Sequence, residues 1–258
     1  MPYFLSLVHA NPNEFPAVIA AERYAFENPL QPIFRLYCPL LNNSIEETIS
    51  ATADETRKKN LDSIPSEPTS TWLQVTRSKE TPHAPNEPIL GGAEWIFIPE
   101  NTSTPQNLES EVKSLSLRHP AGGARIFAEQ AFRILRTAEF EIRERYSGKK
   151  AYMTLGSCFT VPEYRRKGIA YMLMEWGLER ADEGGLDVWI EAAPDAVPFY
   201  ERCGFEKKVT VFLDFQCPDG LTDVEKEEWE VARVSILPIT AVIMGRMCRC
   251  GGIEGFDR

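Results

Sequence analysis

The chain has 258 residues, 43% of them hydrophobic and 26% charged, with a formal charge of -10 and a pI near 5.0. That size and balance suit one large or two small soluble domains with an ample core, and exclude overall disorder. The acidic balance argues against a nucleic-acid partner, whose binding surface is ordinarily basic.

In chain order, the apolar segment Tyr3 to Val8 reads as a first strand, too short and without the basic flank of a signal peptide. Asn11-Pro12-Asn13-Glu14 supplies an N-cap, a first-turn proline and an acid at N3. The helix it starts aligns Phe15, Val18, Ile19 and Phe26 on one face and stops at Asn28-Pro29. Glu46 to Asn60 reads as a more polar helix, followed by a linker at Ser63 to Ser70. Trp72 to Thr76 and Ile89 to Ile98 read as a strand pair joined by the proline-rich loop Thr81 to Pro88, with Gly91-Gly92 marking a bulge.

Asn101 to Pro120 is polar and poor in aromatics, which predicts a loop or mobile insert. Ala124 to Arg145 predicts a long amphipathic helix from Phe127, Ala131, Ile134, Leu135, Ala138 and Ile142. A strand over Tyr152 to Thr160 leads into a second helix that buries Ile169, Met172, Leu173 and Trp176 and stops at Gly184-Gly185. Leu186 to Glu191 and Val209 to Leu213 read as further strands. Asp219 to Glu230 reads as an acidic connection with six carboxylates against Lys226, Val231 to Ile239 as the last strand, and Met247 to Arg258 as a glycine-rich tail.

Val234 to Gly245 is too short to cross a bilayer and contains Pro238, so no membrane partner and a cytoplasmic or nuclear site are expected. Six cysteines in so long a chain do not form a disulfide framework, and Cys248-x-Cys250 lacks metal-type spacing. Reduced thiols and no metal site are expected. Strands first in hairpins, then in strand-helix-strand units, predict a mixed sheet with helices on both faces.

The most informative segment is Thr160 to Ala170, where a strand turns into a helix through Arg165, Arg166, Lys167 and Gly168. The first helical turn offers unpaired backbone N–H groups and a partial positive charge, and a glycine leaves an anion room to reach them. Three basic side chains beside that point run against the global charge.

The pattern Arg-x-x-Gly-x-Ala at 165 to 170, together with Phe199-Tyr200-Glu201-Arg202-Cys203-Gly204-Phe205 further on, resembles the GCN5-related N-acetyltransferase (GNAT) superfamily. Its loop pattern is Gln/Arg-x-x-Gly-x-Gly/Ala and its close Leu/Phe-Tyr-Glu-x-x-Gly-Phe. The resemblance is strong from about Met153 to Phe205. Gly91-Gly92-Ala93-x-Trp95, Ala181-Asp182 and Glu191-Ala192 look like a branch common in filamentous fungi.

The resemblance implies a mixed α/β fold, with a mostly antiparallel twisted sheet of about seven strands and helices on both faces. One acetyltransferase domain would span 1–258, with a helical insertion at about 100–148 and the acidic connection, last strand and tail at about 216–258. It implies acetyl-CoA as acetyl donor, an amine-bearing acceptor and a monomer or homodimer. The backbone of Cys158, Phe159 and Thr160 would meet the pantetheine arm, and Arg165, Arg166, Lys167, Gly168, Ile169, Ala170 and Tyr171 the pyrophosphate. Tyr200 matches the tyrosine that protonates the departing thiolate.

Two positions depart from the pattern: Thr154 stands where some members carry a glutamate base, and Ala193 where an asparagine is frequent. Glu191 is then the nearest carboxylate candidate and Glu94 a weaker one. The acidic segment Asp219 to Glu230 is expected near the acceptor entrance. The implied activity is direct acetyl transfer from acetyl-CoA to a primary amine of a small molecule or peptide. The alternative is an acyl-CoA-binding regulatory or interaction module with little or no catalysis.

Overall fold

The computed structural model describes residues 3–8, 14–41, 44–61, 69–77, 88–100, 102 and 104–248. The expected cap at Asn11 to Asn13, most of the linker and proline-rich loop, and all but the start of the glycine-rich tail lie outside these residues.

Among the described residues, seven strands form one sheet. They are β1 (Phe4–Leu7), β2 (Thr69–Thr76), β3 (Gly91–Ile98), β4 (Tyr152–Thr160), β5 (Asp187–Ala192), β6 (Glu206–Leu213) and β7 (Ile239–Arg246), in the order β1-β2-β3-β4-β5-β7-β6. Every neighbouring pair is antiparallel except β4 and β5. The helices are α1 (Phe15–Glu27), α2 (Pro32–Tyr37), α3 (Ile45–Leu61), α4 (Pro105–Ser116), α5 (Gly123–Ser147), α6 (Ile169–Gly184), α7 (Val197–Arg202) and α8 (Asp223–Ile236). This is the GNAT fold. Among the described residues no helix is long and apolar enough to cross a membrane.

The sheet is buried on both faces, so its central strands carry apolar residues at successive positions rather than alternating ones. In β5, Val188 and Ile190 join a core with Leu173 and Met174 of α6, while Trp189 between them joins a second core with Phe127 and Leu135 of α5. β7 divides likewise, with Val242 and Met244 toward α6 and Ala241 and Ile243 toward α5 and α8. On the α5 side, the other half of the sheet is covered by α1 and α3, where Phe15, Val18 and Ile19 meet Trp72 and Phe159.

Three expectations are corrected. The segment expected as a loop at Asn101 to Pro120 contains α4, which Thr104 caps by accepting the Asn107 N–H at 3.2 Å. The expected last strand at Val231 to Ile239 is mostly helix. Thr222 and Glu225 form a reciprocal capping box, and Trp229, Ala232 and Ile236 are buried at helical spacing while Val231 and Val234 face solvent. The β-branched residues that suggested a strand are the exposed ones, and the last strand follows Pro238 as β7. Gly91 and Gly92 pair in regular register; the bulge lies further along, where Glu94 faces Ser157 and Trp95 faces Leu155, leaving Gly156 as the extra residue. The short helix α2 was not expected at all.

Candidate active site

Strands β4 and β5 pair for only three residues, Tyr152 to Thr154 against Asp187 to Trp189. Beyond them β4 stays on β3 as far as Thr160 and β5 on β7 as far as Ala192, so the two strands diverge. A cavity of about 1820 Å³ opens at this gap and is lined from both sides of the sheet, by Tyr200 and Phe199 on one side and Glu22, Glu94 and Tyr37 on the other. Cys158, Phe159 and Thr160 line it along β4.

At the end of β4 the chain makes a short 3-10 turn at Pro162–Tyr164 and enters α6. Gly168, the N-cap, has φ 88°, a left-handed conformation that suits glycine, and a Cβ there would meet nothing within 4 Å. The first bond of this helix runs from the Met172 N–H to the Gly168 carbonyl at 3.2 Å, so the N–H groups of Ile169, Ala170 and Tyr171 have no partner within it. Open space before unpaired donors and a positive helix end fits an anion of pyrophosphate type.

The basic side chains divide. Arg165 donates to the Thr160 carbonyl at 3.2 Å and the Ala25 carbonyl at 2.7 Å, bracing the loop against α1, and Lys167 donates to the Glu163 carbonyl at 2.8 Å and lies over the Tyr164 ring. Arg166, at φ 60°, makes no hydrogen bond or ion pair among the described residues. Thus Arg165 and Lys167 shape the loop, and Arg166 is left to project charge.

Tyr200 is 8% exposed, its ring set edge-on between Phe199 and Phe205. Its hydroxyl has no hydrogen-bond partner among the described residues. Burial, followed by the neighbouring Cys158, Cys203 and Asp195, pushes its pKa well above the ordinary tyrosine value. It therefore stays protonated at neutral pH. Cys158 is likewise pushed by burial to about 12, which keeps it a thiol rather than a nucleophile.

Glu191 is tied into an ion-pair cluster. Its Oε2 accepts from the Tyr37 hydroxyl at 3.0 Å and from Arg136, which also holds Glu139 at 2.6 Å. Burial raises the Glu191 pKa, while the Arg136 charge and the Tyr37 hydroxyl pull it down.

A residue that sequence reasoning missed is Glu22 of α1. It is 6% exposed, lines the cavity, and accepts a hydrogen bond from Ser157 of β4. Burial raises its pKa from 4.5 to about 7, with Glu94 adding to the rise and Ser157, Arg23 and Arg118 opposing it. Such a carboxylate can take up a proton near neutral pH. Its signal in the sequence was a glutamate one turn beyond Val18 and Ile19, on the apolar face of its helix.

Residues 93–205 match the Acetyltransferase (GNAT) family. This GNAT segment runs from β3 through α7 and contains the divergent strands, the Arg165 to Ala170 loop and Tyr200. Among solved structures, arylalkylamine N-acetyltransferase 2 from Aedes aegypti superposes with a TM-score of 0.60 at 12% identity, covering 96% of this chain and 99% of that one. The Drosophila melanogaster polyamine N-acetyltransferase gives 0.58 at 12%, covering 95% and 100%. A histone acetyltransferase HPA2 and related acetyltransferase from Corynebacterium glutamicum gives 0.52 at 16%, covering 98% and 100%. At such identities these likenesses establish the GNAT fold over nearly the whole chain. No curated protein matches the chain in sequence. The family match is confined to residues 93–205, and the shared fold extends over nearly the whole chain.

Proposed function

We propose that the protein is an N-acetyltransferase that moves the acetyl group of acetyl-CoA directly to a primary amine. The observation that carries this reading is the gap between β4 and β5, with the Gly168 cradle at one end and a cavity reaching both sides of the sheet. The pantetheine arm would hydrogen-bond to the backbone of Cys158 to Thr160 as an added strand does, and the pyrophosphate to the N–H groups of Ile169 to Tyr171, with Arg166 assisting from the rim.

The thioester would then lie in the gap, with proton-handling groups on opposite sides of the sheet. Transfer needs an uncharged amine, an attack distance held by binding, and a proton for the leaving thiolate. Glu22 would take the amine's proton. The amine nitrogen would bond to the carbonyl carbon, the carbon–sulfur bond would break, and the Tyr200 hydroxyl would protonate the thiolate. Glu22 is favoured over Glu191 as base because Glu191 Oε2 already accepts from Tyr37 and Arg136.

Amine acceptors named for the Drosophila and Aedes structures accord with this class of acceptor. Affiliation with a branch common in filamentous fungi remains part of the proposal and rests on the Gly91 to Trp95 pattern. The test is thiol release from acetyl-CoA across a panel of primary amines. Turnover above the rate of acetyl-CoA hydrolysis is expected with at least one; acetyl-CoA binding with no release on any amine would turn the reading into that of an acyl-CoA-binding module.

A further inference from the structure

Granted acetyl transfer to an amine, on which this rests, we infer that the acceptor molecule also carries a neutral oxygen that takes a hydrogen bond from the indole of Trp72. The ligand class is a primary amine with an amide or alcohol group at its far end.

The tryptophans supply the observation. An indole has a single polar atom, a donor, so a buried tryptophan normally places that N–H on a partner. Trp95 donates to the Leu173 carbonyl at 3.1 Å, Trp189 to the Ser147 hydroxyl at 3.1 Å and Trp229 to the Gln130 side-chain oxygen at 2.7 Å. Trp72 is as buried, at 3% exposed, and its N–H has no partner. The three bonded indoles stand away from the cavity, whereas Trp72 lines it.

Buried side-chain atoms left without a partner occur at two residues of the cavity wall among the described residues, Trp72 and Arg136. Arg136 spends its other donors on Glu139, Glu191 and Tyr37. Trp72 has no other donor to spend. It packs in the cluster with Phe15, Val18, Ile19 and Phe159, whose side chains offer no acceptor, so the N–H costs free energy until a bound molecule answers it.

The surroundings narrow what can answer. A protonated amine has no lone pair to give, so the group is distinct from the one that reacts. Across β2 and β3 Trp72 faces Glu94, beside which an anion is disfavoured. A carbonyl or hydroxyl oxygen meets both conditions. Trp72, Glu94 and Ser157 form a row over β2, β3 and β4, on the face where Ser157 donates to Glu22. Two strand spacings separate the ends of that row, so an acceptor whose amine lies at Glu22 would carry its oxygen about 10 Å away. Trp72 takes part in no bond change; it selects the acceptor by holding its far end.

The test compares N-acetylcadaverine with octylamine, primary amines of equal length of which only the first has a carbonyl at the far end. Thiol release should favour N-acetylcadaverine. Trp72→Phe keeps an aromatic ring and removes the donor, and should lower that preference in kcat/KM about ten-fold, through KM rather than kcat. An unchanged ratio in the folded variant would overturn the inference.

A second measurement does not depend on turnover. In the unaltered protein with nitrogen-labelled tryptophan, N-acetylcadaverine should move the Trp72 indole resonance, the one missing from Trp72→Phe or Trp72→Leu, and octylamine should leave it in place. An equal response to both amines, or to neither, overturns the site. Movement with N-acetylcadaverine alone in a protein that releases no thiol would instead overturn acetyl transfer and leave the site standing.

Discussion

Tyr200 and Glu22 are each shifted by burial, and in the proposed mechanism the same physical cause suits them to opposite tasks. A phenol with a raised pKa keeps its proton until a strong base such as a thiolate forms beside it. General acid assistance is typically worth about 10² to 10⁴ in rate, so Tyr200→Phe should lower kcat strongly while acetyl-CoA affinity, measured by calorimetry, changes little. A fall in affinity with kcat intact would make Tyr200 a packing residue. A carboxyl raised to about 7 is half-ionised where an amine must be relieved of its proton. As the base it must be deprotonated, so kcat/KM should rise with pH through about 7. Stability runs the other way. The native carboxyl binds its proton more tightly than the unfolded one, so this group's contribution is present in full below pH 4.5 and is lost as pH rises through about 7. Glu22→Gln should therefore stabilise the protein by up to about 3 kcal/mol at pH 8 and by little at pH 4, as read by urea denaturation. Equal effects at both pH values would show that Glu22 is not shifted by burial. A more stable and less active variant is the usual signature of a residue kept for chemistry.

At the scale of elements, what was legible in the sequence followed how local its signal was. Helix α5 and strand β4 could be read because Phe127, Ala131, Leu135 and the run from Tyr152 to Thr160 carry a period or a strand propensity within themselves. Helix α8 was half hidden. Its charged first half read as a connection and its Val231 and Val234 as a strand, because propensity outweighed the wider spacing of Trp229, Ala232 and Ile236. The two readings part cleanly on mutation. Were this a strand, Val234 and Ile236 would share a face; in α8 the second is buried and the first exposed. Ile236→Ala should cost about 2 to 5 kcal/mol and Val234→Ala about 0.5 kcal/mol or less, compared by urea denaturation. Comparable losses would restore the strand. The Arg165 to Ala170 pattern could be read because it is short and contiguous. Glu22 and Glu94 were not legible as a pair, since only the docking of α1 on β4 and the bulge at Gly156 bring them together.

Across the whole molecule, the charge of -10 is spent in ways the composition did not disclose. In the acidic segment expected near the acceptor, three of the six carboxylates have hydrogen-bond partners within the fold. Glu225 closes the capping box, Glu228 accepts the Gly123 N–H at 2.8 Å where α8 meets α5, and Glu230 pairs with Arg233. No residue of α8 lines the cavity. The carboxylates that do are Glu22, Glu55, Glu94, Glu111, Glu139, Glu191 and Asp195, spread over α1, α3, β3, α4, α5, β5 and the turn after β5. In the proposed reading the cradle for the acetyl donor comes from one contiguous stretch, whereas the acceptor side is assembled from distant parts of the chain.

The order of strands also bears on how the molecule comes together in time. Because β7 lies between β5 and β6, β6 has no strand to join until β7 has formed. The consecutive strands β2 and β3 need no such wait. Contacts between strands far apart in sequence carry a loop-closure cost and form slowly, so β6 can join the sheet only together with β7 or after it. The far wall of the gap, β5, is held from its other side by β7, so the opening beside β4 depends on a strand that lies outside it.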